Sequence, residues 1–197
     1  IIQVDDRGQN CILLHGGTNR MMTEEYVEHA LGAFGGSGLV LLQNETNLVG
    51  LIIARAKAKG LMTALNAAPM DEAVFSYPLE LLDWLIVNEV EGAAIARCTR
   101  EEDILPALER AYPQLNVLLT LGERGSVCVC GGKQTRFGAY RVKAADTTAA
   151  GDTFLGYFLN ETINGAEVSE ALALATAAAA LCVQVMGAAD SIPPRER

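Results

Sequence analysis

Apolar residues in this chain come in short unbroken runs, and most of these runs lead into a longer stretch with helical spacing. Asn10–His15 is the first run, and Gly16-Gly17 turns it. Thr23 with Glu24 and Glu25 opens a helix that reaches about Phe34, where Gly35-Gly36 breaks it. Leu39–Gln43 predicts a buried strand and Leu48–Lys59 an amphipathic helix, closed by Gly60 just past its end. Met62–Asn66 is the next strand and leads into a loop at Ala67-Ala68-Pro69. Trp84–Asn88 follows, then helical stretches around Glu89–Arg97 and Glu101–Tyr112, the second with Pro106 as a candidate kink. Val117–Leu121 ends the series. Strands that are apolar throughout, separated by helices, predict a parallel sheet covered on both faces. Ligands of such sheets collect beyond the carboxyl ends of the strands, which points to Asn66, Asn88 and Thr120.

The rhythm then changes. Ser126–Cys130, Gln134–Phe137 and Tyr140–Lys143 read as an antiparallel meander joined by Gly-rich turns. A helix from about Ala150 to Asn164, capped by Gly165, comes next. Ser169 begins an Ala-rich helix that stops near Gly187, and the Ser191–Arg197 tail contains prolines and is expected to be loose. No repeat or low-complexity linker divides the 197 residues, so residues 1–197 are expected to form one unit.

Composition narrows the partners. The net charge is −9 and no basic stripe is present, so nucleic acid and anionic membranes are poor partners. An anionic ligand must be held by local donors, helix ends and metal. The apolar stretch near Ala171–Met186 is too short and mild to span a bilayer. Five scattered cysteines (Cys11, Cys98, Cys128, Cys130 and Cys182) make no disulfide framework, which fits a reducing cytoplasm.

Candidate chemistry concentrates at residues 146–153, Asp-Thr-Thr-Ala-Ala-Gly-Asp-Thr, where a loop of small residues turns into a helix. The free amides and positive dipole end of such a helix attract anions, and small side chains let a phosphate come close. An Asp held there can take a proton from an attacking hydroxyl. The residues alone leave open that Asp152 only complements the dipole.

This stretch resembles the second signature of the ribokinase-like (PfkB-type) sugar kinase family, Asp-Thr-x-Ala-Ala-Gly-Asp, in full. Other segments resemble the same family in order and spacing. Asn88-Glu89-Val90-Glu91 matches its Asn-x-x-Glu, and Thr120-Leu121-Gly122-Glu123-Arg124-Gly125 its Thr-x-Gly-x-x-Gly. Gln43-Asn44-Glu45 matches its Gln-x-Glu, and His15–Asn19 is similar to its His-x-Gly-Ala-Asn run. Leu65–Pro69 is similar to Leu-Asn-Pro-Ala-Pro, with Ala67 in place of the first proline.

The resemblance implies a three-layer αβα fold, a mostly parallel sheet with a short antiparallel meander, lacking the family's N-terminal segment. It also implies phosphotransfer from ATP to the primary hydroxyl of a small sugar, ribose first, with fructose, ketodeoxygluconate and nucleosides as alternatives. Asp152 would be the base, and the backbone of Ala149, Ala150 and Gly151 the anion hole. Asn88, Thr120, Gly122, Gly125 and Thr176 would contact nucleotide, and Glu45 and Asp152 the sugar. Glu91 would hold Mg²⁺ through water. Asp146, Thr148, Cys182, Val185, Gly187 and Ser191 would surround K⁺ or another monovalent cation, mostly through backbone oxygens. The missing segment would carry sugar-binding motifs and the lid strands, through which family members often form homodimers, and would leave one sheet edge open. Against this stands a second class of function, a nucleotide-binding remnant or interaction module without phosphotransfer.

Overall fold

The computed structural model describes residues 1–4 and 10–195. It opens with an antiparallel hairpin of β1 (Ile2–Val4) and β2 (Asn10–Ile12). A six-stranded sheet takes in β3 (Leu39–Gln43), β4 (Met62–Asn66), β5 (Trp84–Asn88), β6 (Asn116–Thr120), β7 (Ser126–Cys130) and β8 (Lys133–Phe137), in that spatial order. β3 to β6 are parallel, and β7 and β8 add antiparallel. The helices are α1 (Glu24–Gly32), α2 (Val49–Ala58), α3 (Glu89–Ala96), α4 (Glu101–Ala111), α5 (Ala150–Ile163) and α6 (Val168–Cys182).

Alternation along each strand explains why the runs are apolar throughout. Leu85, Val87, Val117, Leu119, Val127 and Val129 face one way and pack with Val49 and Ile53 of α2, Ile95 of α3, and Ile104 and Leu108 of α4. Ala64, Trp84, Ile86, Leu118 and Cys128 face the other way, against Phe154, Phe158 and Leu159 of α5 and Leu172 of α6. The Trp84 and Phe158 rings meet edge to face, 5.3 Å between centroids. Burying a side chain the size of Leu or Phe contributes about 1.5–3 kcal/mol, so the two clusters clamp the sheet from both sides. This is the expected three-layer αβα arrangement. α1 packs on α2 through Val27, Leu31, Ile52 and Ala56.

Four expectations are corrected. Tyr140–Lys143 is not a strand; Val142 is 40% exposed and the meander ends with β8. The strand expected over Asn10–His15 stops at Ile12, with Leu13, Leu14 and His15 outside it. α6 ends at Cys182, and Val185 and Met186 lie exposed in the turn that follows. The C-terminal tail is held at its start: Ser191 is buried, and the Tyr157 hydroxyl donates to the Pro193 carbonyl at 2.5 Å. Residues 196–197 of that tail, and the Cys11 side chain, lie outside what is described. Pro106 sits inside α4 without ending it.

β3 is the outer strand, and among the described residues no strand pairs with its free side. Leu41 of β3 (44% exposed) and Met62 of β4 (37%) are exposed apolar residues on this side of the sheet.

Candidate active site

Each of the four parallel strands ends on a polar residue: Gln43, Asn66, Asn88 and Thr120. Registry sets Gln43 beside Asn66 and Asn88 beside Thr120, with Asn66 beside Ile86, so the four form a stepped row along the carboxyl edge. Gln43 extends the trio expected from the strand ends. The row lines a cavity of about 370 Å³, which Glu45, Glu91, Ala149, Gly151 and Asp152 help to close.

The start of α5 forms one wall. Ala149 caps the helix in a left-handed conformation (φ 60°), uncommon for a residue with a Cβ, and so turns the chain sharply into its first turn. The Thr153 amide donates to the Ala149 carbonyl at 2.8 Å, and the Ala150 amide to Thr147 at 3.3 Å. The amides of Ala149, Gly151 and Asp152 have no partner among the described residues, so three donors remain at the positive end of the helix dipole. Of the three residues expected to hold an anion, Ala150 therefore has its amide engaged. The Asp152 carboxylate stands in the exposed first turn, with Oδ1 accepting from Gln43 Nε2 at 3.2 Å.

Asn88 and Glu91 form a capping box at the start of α3. Asn88 Oδ1 accepts from the Val90 and Glu91 amides at 2.9 Å. Glu91 Oε2 accepts from the Asn88 amide and Oε1 from Asn88 Nδ2, both at 2.9 Å. Burial pushes the Glu91 carboxyl up, against the pull of these hydrogen bonds. Both of its oxygens are engaged, which suits an ion held through water better than direct ligation. Among the described residues, no group of three or more His, Cys, Asp or Glu side chains is placed to hold a metal.

A second cavity of about 490 Å³ adjoins the first, and Thr120, Gly151 and Phe154 line both. Gly122, Gly125 and Thr176 line it, with Val142, Ala179 and Val183 among the apolar residues. The Gly122–Gly125 turn needs glycine at both ends: φ is +56° and +94°, and a Cβ on Gly125 would sit 2.1 Å from the Phe137 carbonyl oxygen. The Thr176 hydroxyl bonds its own helix at Leu172.

The residues expected around a monovalent cation are brought together. Asp146 Oδ1 accepts from the Thr148 amide at 2.9 Å and Oδ2 from the Gly187 amide at 3.0 Å. Cys182 Sγ lies 3.1 Å from Ser191 Oγ and 3.8 Å from the Thr148 carbonyl, and the Val185 amide donates to the Cys182 carbonyl. Glu45 follows a fully buried Asn44, whose Nδ2 donates to Pro69 and whose Oδ1 accepts from the Tyr77 hydroxyl at 2.6 Å. Asn44 and Tyr77 thus fix the loop that carries Glu45. Their side chains meet 33 positions apart, and nothing in either one's local sequence marked them.

The family model for pfkB family carbohydrate kinases matches residues 1–195. A ribokinase of Staphylococcus aureus strain COL is 35% identical over 199 residues, covering 98% of this chain and 65% of that protein. The solved ribokinase of Thermotoga maritima superposes with a TM-score of 0.80 at 32% identity, over 99% of this chain and 66% of that one. The Arabidopsis thaliana ribokinase complexed with ribose and ATP gives 0.81 at 30% identity, over 99% and 65%. The chain thus spans about two thirds of the length of these relatives, and it belongs to the pfkB family of carbohydrate kinases.

Proposed function

We propose that this chain transfers the γ-phosphate of ATP to the primary hydroxyl of a small sugar, with ribose, giving ribose 5-phosphate, as the first acceptor to try. One observation carries the reading: Asp152 stands beside unpartnered helix amides where a polar cavity meets a more apolar one. The polar cavity, with Glu45, Gln43 and Asn66, suits a hydroxyl-rich acceptor, and the second suits a nucleobase. The relative complexed with ribose and ATP supports the same pair of ligands.

The Asp152 carboxylate takes the proton of the acceptor hydroxyl as its oxygen attacks the γ-phosphorus in line, and ADP leaves. Amides of Ala149, Gly151 and Asp152 face the charge that develops on the transferred group. Glu45 holds another acceptor hydroxyl. Mg²⁺, when bound, neutralises the phosphate oxygens. Asn88 and Glu91 would hold its waters, and Asn88 also contacts the nucleotide, with Thr120, Gly122, Gly125 and Thr176. K⁺ would sit by the Asp146–Thr148 and Cys182–Ser191 segments and steady the loop before α5.

Among the described residues no helix is long and apolar enough to cross a membrane. Cys98, Cys128, Cys130 and Cys182 are free thiols, in keeping with a cytoplasmic enzyme.

A second reading, a nucleotide-binding remnant without phosphotransfer, is favoured by the open outer edge of β3 beside the acceptor cavity. The experiment is ADP release with ATP, Mg²⁺ and K⁺ across ribose, fructose, ketodeoxygluconate and nucleosides. Release that depends on one acceptor supports the kinase and names its substrate. ATP binding without release from any acceptor supports the remnant.

A further inference from the structure

The Asp152 carboxylate would turn freely if only its own helix held it. Among the described residues it accepts from no amide of α5, and it lies in an exposed first turn. Its partner comes from 109 positions earlier in the chain, Gln43 Nε2 at 3.2 Å. An amide side chain can face a carboxylate only through its NH₂, so the bond has one direction: Gln43 donates and Asp152 accepts. Oδ2 of Asp152 has no partner among the described residues. The Gln43 backbone is set by the sheet, because it is the last residue of β3 and is registered against Asn66.

We propose that Gln43 is the positioning residue for Asp152, pinning Oδ1 so that Oδ2 is presented to the acceptor hydroxyl. This rests on the phosphotransfer reading above. The sheet then sets the direction of the base.

Three measurements on the full chain test this. In Gln43→Ala, kcat is expected to fall about 10-fold while KM for ATP stays unchanged, because the residue does not reach the nucleotide cavity. Gln43→Glu, which keeps the size of the side chain but turns the donor into an acceptor, is expected to lose at least as much turnover, which loss of mere structural support would not produce. Independently of turnover, the side-chain amide resonances of Gln43 should shift when Asp152→Asn takes the carboxylate away. An unchanged kcat in Gln43→Ala or Gln43→Glu would overturn the proposal, as would an amide signal indifferent to Asp152→Asn. If the native chain releases no ADP with any acceptor, the phosphotransfer reading fails on its own. The amide spectra then still decide whether Gln43 holds Asp152.

Discussion

Asp146 and Gly187 are joined across 41 positions: Oδ2 of the aspartate accepts from the Gly187 amide at 3.0 Å while Oδ1 accepts from Thr148. The loop before α5 and the turn after α6 are thereby tied by one carboxylate. The Thr148 side chain, with the amides of Thr148 and Gly187, holds Asp146 below the usual carboxylate range. Its stabilising contribution is therefore full above the ordinary value of about 4 and lost as pH falls through the lower folded value. The melting temperature should drop on acidification below about pH 4, and drop less in Asp146→Asn. An equal acid response in the two proteins would show that this carboxylate contributes nothing. At neutral pH the same variant should need more K⁺ for half-maximal turnover.

Gly151 separates ligand contact from folding. A Cβ built there meets nothing within 4 Å, and the residue lies in a helix, so Gly151→Ala should leave the folding stability unchanged or raise it by up to about 1 kcal/mol, read from thermal melts. The new methyl would project into the space shared by the two cavities. Turnover should fall about 100-fold, the scale of losing one transition-state donor. A variant as active as the native protein would rule out phosphate approach over this residue.

Gly125 should behave in the opposite way. Its φ of +94° and the 2.1 Å approach to the Phe137 carbonyl leave no room for a side chain. Gly125→Ala should cost at least about 1–3 kcal/mol and weaken nucleotide binding, as read by thermal melts and ATP titration.

Asp152→Asn keeps the size of the side chain and removes the proton acceptor. A loss of about 10²–10⁴ in kcat is expected, with ATP affinity largely intact in a direct binding titration. Normal turnover would remove Asp152 from the chemistry.

Much of this arrangement could be read along the chain, because local signals carry it. Continuous apolar runs marked β3 to β6, Thr23 marked the start of α1 by capping Tyr26, and Gly60 and Gly165 marked helix ends with positive φ. The polar strand ends Asn66, Asn88 and Thr120 came from the same pattern. What escaped depends on partners far away in sequence. Val185 and Met186 continue the apolar spacing of α6, yet Asp146 and Ala145 bond the turn around Val183 and Gly187, and the helix stops at Cys182. The tail looked loose because Tyr157, which holds Pro193, lies 36 positions earlier. Tyr140 and Val142 have the composition of a strand but line the second cavity instead. Asn88 and Glu91 cap α3 as well as lining the cavity, and the capping box is a role the sequence reading did not assign to them.

The open side of β3 bears on how long the proposed activity would last in a tube. Leu-Val-Leu-Leu-Gln carries no lysine, proline or bulge to discourage a second strand, and its central Leu41 is exposed. Molecules meeting along this edge would lose activity at a rate set by their concentration, even well below the melting temperature. Leu41→Lys should slow that decay, measured by light scattering alongside turnover. Because Gln43 ends the same strand, pairing along the edge would tug on Asp152, and catalysis would fade before any precipitate is seen.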